Sequence, residues 1–99
     1  MLHIINKSPF EKNAFDACLA VAQDGAVVLL IEDAVYAATT GNPAASQLEQ
    51  AQGRLKLYVL KPDLEARGMG DRLIPAVAAT DYEGFVDLVA DNKVCQSWL

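Results

Sequence analysis

The sequence predicts an α/β fold, a three-layer sandwich built around a mainly parallel sheet of four or five strands. Short apolar segments of strand length alternate with segments of helical spacing along the whole chain. One apolar segment, residues 26–31, reads Ala-Val-Val-Leu-Leu-Ile, and a strand that is apolar on both faces is typical of a parallel sheet covered by helices. The length of 99 residues suits one domain and leaves no room for two.

The first third of the chain predicts a strand followed by a helix. Leu2–Ile5 is a short apolar run of strand length. Ser8, Pro9 and Glu11 match a helix start, with Ser8 as the N-cap, Pro9 at position N1 and Glu11 closing a capping box. The helix places apolar side chains on one face at the spacing i, i+3, i+4, i+7, and they are Phe15, Cys18, Leu19 and Ala22. An Asp-Gly pair ends this helix before the second strand, residues 26–31.

The middle third predicts a short helical segment, a second helix and a third strand. The short segment is Glu32–Ala38. Asn42 can cap the second helix, with Pro43 at N1, and Gly53 ends it. Residues 55–60 form the third strand because they are mainly apolar and include Val and Tyr.

The next segment predicts a brief helix over residues 62–67 that stops at Gly68. Residues 72–79 contain the fourth strand. Pro75 lies inside this segment and favours the start of a strand or an edge position, because proline cannot donate a hydrogen bond to a neighbouring strand.

The last segment predicts a helix and a terminal strand. Thr80 and Glu83 have the spacing of a second capping box. Apolar residues then follow at helical spacing: Tyr82, Phe85, Val86 and Val89. Residues 94–99 form a fifth strand. Strands separated by helices predict right-handed βαβ crossovers and therefore a flavodoxin-like arrangement of the three layers.

The charge and hydropathy of the chain exclude several classes of function. The net charge is −5 and the 8 Lys and Arg residues are scattered, whereas binding to a nucleic-acid backbone needs clustered cations. No apolar run approaches the roughly 20 residues of a membrane span, and the N-terminus lacks the pattern of a signal peptide. Counted with the 6 Gly and without the 3 Tyr, as in the average, apolar residues make up about 56% of the chain, against about 45–50% in average domains. This surplus indicates that a partner covers part of the surface.

The two cysteines are the first candidates for chemistry. They form neither a disulfide framework nor a zinc site, and a reducing cytoplasm fits them best. Cys18 lies ten residues beyond Ser8, about 15 Å from the predicted helix start, and its helical neighbours include no base or cation. Both a packed core thiol and a functional thiol stay open for Cys18. Cys95 adjoins the C-terminus and is interpreted as incidental.

The other polar candidates have simpler interpretations. His3, the only histidine, is expected to be a polar strand residue rather than a metal ligand or a general base. The predicted helix start at Ser8 could bind an anion, although its capping role alone explains the motif. Metal sites and cofactor sites are not predicted anywhere in the chain.

Acidic residues follow the second strand at the edge of the sheet where α/β proteins bind ligands. Glu32 and Asp33 have no evident basic partner and are interpreted as a solvated loop. Asp63 and Arg67 are four residues apart and are expected to form a surface ion pair. Trp98 is expected to pack either on its own domain or on a partner.

Four segments in order along nearly the whole chain resemble one known family. They are Leu2-His3-x-x-Asn6-Lys7-Ser8-Pro9-Phe10, Lys56-Leu57-Tyr58-Val59-Leu60-x-x-Asp63-Leu64-x-Ala66-Arg67-Gly68, Asp81-Tyr82-x-x-Phe85-Val86-Asp87-Leu88 and Gln96-Ser97-Trp98. Their combination is similar to DsrH/TusB, the smallest subunit of the DsrEFH and TusBCD sulfur-relay complexes. Residues 1–99 would then form a single DsrH/TusB-like domain of the DsrE/F-like superfamily.

The resemblance implies a flavodoxin-like fold and an accessory role in a heterohexamer containing two copies each of three related subunits. The partners would be DsrE/TusD-like and DsrF/TusC-like subunits, and the persulfide sulfur would pass to a DsrC/TusE-like acceptor. The complex would serve 2-thiolation of the wobble uridine in tRNA or dissimilatory sulfur oxidation. The main sulfur-accepting cysteine belongs to the DsrE/TusD subunit. Cys18 matches a position where DsrH-type members carry a cysteine, and it is a candidate secondary sulfur site.

Two alternatives belong to other functional classes. The first is a free-standing thiol sulfurtransferase that uses Cys18, which requires a lowered thiol pKa. The second is a small module that binds an anion at residues 8–10.

Overall fold

The computed structural model describes residues 1–11 and 13–98, and strands and helices alternate along it as predicted. The strands are β1 (Leu2–Ile5), β2 (Val27–Leu30), β3 (Lys56–Leu60), β4 (Ala78–Thr80) and β5 (Cys95–Trp98). The α-helices are α1 (Ala14–Val21), α2 (Pro43–Ala51), α3 (Lys61–Ala66) and α4 (Tyr82–Asp91), and a 3-10 helix spans Glu32–Ala38.

The five strands form one sheet in the order β4-β3-β2-β1-β5, and every neighbouring pair is parallel. The predicted α/β class with a mainly parallel sheet is therefore confirmed. From β1 to β4 the chain steps along the sheet in one direction, and it then returns across the sheet to place β5 beside β1.

The larger core lies between one face of the sheet and the helices that connect β1 to β4. Because successive side chains of a strand point to opposite faces, alternate residues of the central strands reach this core. The strand residues are Ile5, Val28, Leu30, Leu57 and Val59. The helices contribute Phe15, Cys18 and Ala22 from α1 and its end, Leu48 from α2 and Leu64 from α3.

The opposite face of the sheet carries a smaller core. Its buried residues are Leu2, Val27 and Leu29, and Phe85 and Leu88 of α4 pack against them. A right-handed crossover that steps in the reverse direction lies on the reverse face of the sheet, which accounts for the position of α4. The helices on the two faces of the sheet give the predicted three layers.

The first helix begins later than its sequence signals predict. The Ser8 hydroxyl accepts a hydrogen bond from the Phe10 N–H at 3.2 Å, and the Ser8 carbonyl accepts one from the Glu11 N–H at 3.3 Å. These bonds close a local turn, and α1 starts at Ala14. The predicted N-cap at Ser8 is therefore wrong. Lys12, which the prediction placed in this helix, lies outside the described residues.

The other two predicted caps have different outcomes. The Asn42 carboxamide oxygen accepts a hydrogen bond from the Ala45 N–H at 3.1 Å, so the predicted start of α2 is confirmed. The N-cap of α4 is Asp81, whose carboxylate accepts a hydrogen bond from the Gly84 N–H at 2.8 Å. Thr80 is the last residue of β4, so the capping box predicted from it is wrong.

The fourth and fifth strands lie close to the predicted segments. β4 is an edge strand, as Pro75 indicates, but it begins at Ala78, after the proline, and ends one residue beyond the predicted segment. β5 agrees with the predicted terminal strand as far as Trp98. Leu99, which the prediction included, lies outside the described residues.

Candidate functional site

Cys18 lies in the larger core and is completely buried. It is the fifth residue of α1, so it is about one turn from the start of the helix rather than the ten residues expected. The helix terminus does not activate the thiol, because burial raises the pKa of Cys18 to about 12. At neutral pH Cys18 is a protonated thiol, and the geometry fits the packed core interpretation.

Cys95 is the second free cysteine, and it is exposed at the start of β5. Its sulfur lies 3.9 Å from the Asn92 carbonyl oxygen. Cys95 is in register with Leu2, and register partners in a sheet point to the same face. Since Leu2 faces the α4 layer, the sheet separates Cys95 from Cys18. The two thiols cannot exchange sulfur directly in this conformation.

His3 is buried in β1 and bonded to the last strand. Its Nδ1 accepts a hydrogen bond from the Trp98 indole N–H at 3.1 Å, and the two ring centroids are 6.1 Å apart. Burial, together with the nearby N-terminal ammonium group, lowers the pKa of His3 below 6.5. Trp98 packs against the larger core, so it makes the intramolecular contact that was one of its two expected roles.

The acidic residues after β2 form a non-local cluster with α3. The Arg67 guanidinium donates two hydrogen bonds to one Asp33 carboxylate oxygen at 3.0 and 2.9 Å. The Asp63 carboxylate accepts a hydrogen bond from the Glu32 N–H at 2.7 Å. Asp33 therefore has a basic partner, contrary to expectation. The expected Asp63–Arg67 ion pair is also wrong, because Arg67 reaches the Asp63 backbone carbonyl instead.

The hydrogen bonds of this cluster join the residues that follow β2 to α3. Glu32 has a φ of 50°, a left-handed conformation that costs a non-glycine residue about 1–2 kcal/mol, and the hydrogen bond to Asp63 helps to hold it. No local sequence pattern predicts these contacts, because the bonded residues are 31 and 34 positions apart. These hydrogen bonds give the cluster a structural role at the carboxyl end of β2.

The anion-binding alternative loses the feature on which it depended. The Ser8 turn does not open a helix, and the Ser8 hydroxyl is already bonded to the Phe10 N–H. In residues 1–11 and 13–98, no group of three or more His, Cys, Asp or Glu side chains could hold a metal ion. Of the helices described, none is long and apolar enough to cross a membrane.

The least expected feature is the outer surface of α4. Tyr82, Val86 and Val89 are 60%, 67% and 42% exposed, although their helical spacing is typical of a face that packs on a core. Phe85 and Ala90 line the same apolar surface. The described helix α4 contains no buried residue. The helical spacing predicts the stripe, but a period alone does not show that Tyr82, Val86 and Val89 face solvent while Phe85 packs on the smaller core.

Known proteins resemble the chain over almost its whole length. A family model described as "DsrH like protein" matches residues 7–95. Protein TusB of Pectobacterium parmentieri is 35% identical over 98 residues, covering 99% of this chain and all of the relative. Protein TusB of Erwinia tasmaniensis is 37% identical with the same coverage.

Two solved structures share the fold. The crystal structure of the ychN protein from E. coli has a TM-score of 0.75 and 19% sequence identity, and the match covers 97% of both chains. A protein of unknown function from Methanobacterium thermoautotrophicum has a TM-score of 0.70 and 14% identity, with 97% of this chain and 95% of the other covered. At these identities the likeness concerns the architecture of the chain alone.

Proposed function

The chain belongs to the DsrH/TusB family, and from this membership we propose that it is an accessory, non-catalytic subunit of a cytoplasmic sulfur-relay complex. The observation that carries the proposal is the 35–37% identity to TusB proteins over 98 residues. Relatives that align from end to end without large insertions support the same fold and the same kind of assembly.

The thiol chemistry supports an accessory rather than an independent role. A sulfur acceptor needs an accessible thiolate, whereas Cys18 is buried with a pKa raised to about 12. This observation also weighs against the free-standing sulfurtransferase. We infer that reactivity comes from DsrE/TusD-like and DsrF/TusC-like subunits, and that a DsrC/TusE-like protein takes up the sulfur. In this proposal residues 1–99 are one domain of a heterohexamer.

Co-expression with the two sister subunits from the same genome tests the assembly. Native mass spectrometry of the purified material should show one species containing all three chains in equal numbers. A stable lone monomer beside a complex of the two sisters would contradict the proposal. Sulfur transfer from a persulfide donor should require the sisters and should be negligible for this chain alone.

The relatives named TusB favour tRNA 2-thiolation as the process served, while the presence of Cys18 favours the sulfur-oxidation branch. We propose the tRNA branch first, because the TusB relatives align with the whole chain. Deletion of the gene in its host should reduce 2-thiouridine in tRNA, measured by mass spectrometry of digested nucleosides. Unchanged 2-thiouridine together with impaired oxidation of stored sulfur would assign the chain to the other branch.

Cys18 stays a candidate secondary sulfur site, and its burial defines what that role requires. Because Cys18 is completely buried in the larger core, a persulfide donor can reach its sulfur only when the packing around α1 opens. After treatment of the assembled complex with a persulfide donor, peptide mass spectrometry should find a persulfide on Cys18. The variant Cys18→Ser should still assemble. Detection of a persulfide on Cys95 but never on Cys18 would defeat the assignment.

A further inference from the structure

We propose that the exposed apolar stripe of α4, with the acidic ridge beside it, is the surface that docks a sister subunit presenting an apolar patch bordered by Lys and Arg side chains. The stripe consists of Tyr82, Phe85, Val86, Val89 and Ala90. This inference rests on the proposed function, because its partner is a subunit of the proposed complex, and it goes further by naming the surface and the chemistry of the partner.

The arrangement of side chains around α4 divides the helix into three sectors. An α-helix turns about 100° per residue. On that spacing Gly84 and Leu88 face the sheet and Phe85 lies at the boundary of this sector. The side chains of Phe85 and Leu88 pack on the smaller core. The stripe occupies the next roughly 140°. Glu83, Asp87 and Asp91 follow at four-residue spacing on the remaining sector.

The stripe is unusual because it is apolar and largely exposed over about two and a half turns of α4. Val86 is 67% exposed and Tyr82 is 60% exposed. Contiguous exposed apolar surfaces rimmed by polar residues mark protein interaction sites. Tyrosine side chains are frequent anchors of binding at such surfaces, and the stripe supplies the exposed Tyr82.

The charges beside the stripe select the partner. Glu83, Asp87 and Asp91 are exposed. The ion pairs found in residues 1–11 and 13–98 join Arg54 to Asp24 and Arg67 to Asp33, so neither involves these three carboxylates. A partner with Lys and Arg beside an apolar patch would complement both features.

The same charges argue against a second copy of this chain as the occupant. An antiparallel two-fold contact between stripes would place one acidic ridge beside the other, and in any contact between two copies each chain carries a net charge of −5. Juxtaposed like charges suppress association. A different chain with basic side chains therefore fits the stripe better than a second copy of this chain does.

The test compares two matched valine substitutions in the three-subunit complex. Val86→Glu places a carboxylate in the stripe, and Val21→Glu places one on α1, where Val21 is 59% exposed. Both side chains are largely outside the core, so both variants should keep the wild-type melting temperature. Val86→Glu should weaken binding to the sister subunits by about tenfold or more, as at central interface positions. Val21→Glu should change it by less than about twofold.

Reversal of one charge in the acidic ridge provides a second test of the docking surface. Asp87→Lys should slow association with the sisters, and the difference from wild type should shrink as salt is raised. Equal binding by wild type, Val86→Glu and Asp87→Lys within an intact complex would overturn the docking surface while leaving the proposed function standing. Dimerisation of the lone chain that Val86→Glu abolishes would assign the stripe to a second copy and also overturn it. Failure of the wild-type chain to join its sisters would contradict both proposals.

Discussion

At the scale of single residues, the two thiols differ in both access and ionisation. Cys95 is exposed, and Cys18 is buried with a pKa raised to about 12. Alkylating reagents attack the thiolate. At pH 7.5 we expect iodoacetamide to label Cys95 on the folded chain and to label Cys18 only after unfolding, as measured by intact-protein and peptide mass spectrometry.

The variant Cys95→Ser is the control for this experiment. It should remain unlabelled when folded and gain one label in denaturant. Labelling of Cys18 at a rate similar to that of Cys95 would contradict this prediction. It would show that the packing around α1 opens readily, so that the lone chain could accept sulfur on Cys18.

The burial of His3, together with the nearby N-terminal ammonium group, makes stability depend on pH. The Nδ1 of His3 accepts the indole N–H only when that nitrogen is unprotonated, and the pKa of folded His3 is below its ordinary value of 6.5. As the pH falls, the unfolded chain therefore takes up the proton before the folded chain does. The contribution of His3 to stability is complete above about pH 6.5 and declines below it toward the pKa of the folded state.

Urea unfolding at pH 7.5, 6.5 and 5.5 measures this effect. We expect the free energy of unfolding to decrease at the lowest pH in the wild type. In His3→Gln, which cannot titrate, the decrease over the same interval should be smaller, whatever the absolute stability of the variant. A wild-type stability that is constant or rises toward pH 5.5 would contradict the assigned direction.

At the scale of elements, Gly84 sets how closely α4 approaches the end of β4. A Cβ atom at Gly84 would collide with the Thr80 hydroxyl and lie 3.3 Å from the Thr80 Cβ. Gly84→Ala would gain about 1 kcal/mol in helix propensity, but overpacking costs about 1–3 kcal/mol. We expect Gly84→Ala to destabilise the protein by up to about 2 kcal/mol, the largest difference between these two effects.

A double-mutant cycle with Thr80→Ala separates the two effects. Once the Thr80 hydroxyl is removed, Gly84→Ala should be neutral or slightly stabilising in urea unfolding. An equal penalty in both backgrounds would show that the collision with Thr80 is not the cause.

The elements also show where sequence patterns suffice. The buried β2 and the Asn42 cap followed from local signals, because a doubly covered strand and an Asn-Pro helix start each have a distinctive composition. The starts of α1 and α4 did not follow from local signals. Ser8 resembles a cap, but its hydroxyl closes a turn, and Thr80 adjoins Asp81, another good cap. Pairing with β3 retains Thr80 in the sheet, and that contact is invisible in a local window.

In the candidate site, too, some features follow from local sequence patterns and others depend on the order of the strands. The helical spacing placed Cys18 on the face that carries Phe15 and Ala22, so a core position was one of the two open interpretations. The partnership of Asp33 with Arg67 depends on the end of β2 meeting α3, which requires the sheet order. The exposure of Val86 depends on which side of α4 the sheet occupies, and a helical period alone does not determine it.

At the scale of the whole molecule, the strand order makes the two faces of the sheet unequal. Connections that step from β1 to β4 place α1, α2, α3 and the 3-10 helix on one face, whereas the return to β5 places α4 on the other. Five strands about 4.8 Å apart span roughly 19 Å, and one helix is about 10 Å wide. The α4 layer therefore covers only about half of its face.

This asymmetry predicts unequal local stability, because segments with few buried apolar contacts open at lower free energy. In hydrogen exchange followed by mass spectrometry, peptides covering α4 should exchange much faster in the lone chain than peptides covering β2, whose residues Val27–Leu30 are all buried. Binding of the sister subunits should slow exchange in α4 and leave β2 unchanged. If α4 exchanged as slowly as β2 in the lone chain, the helix would be stable without a bound subunit, and the prediction of unequal local stability would be wrong.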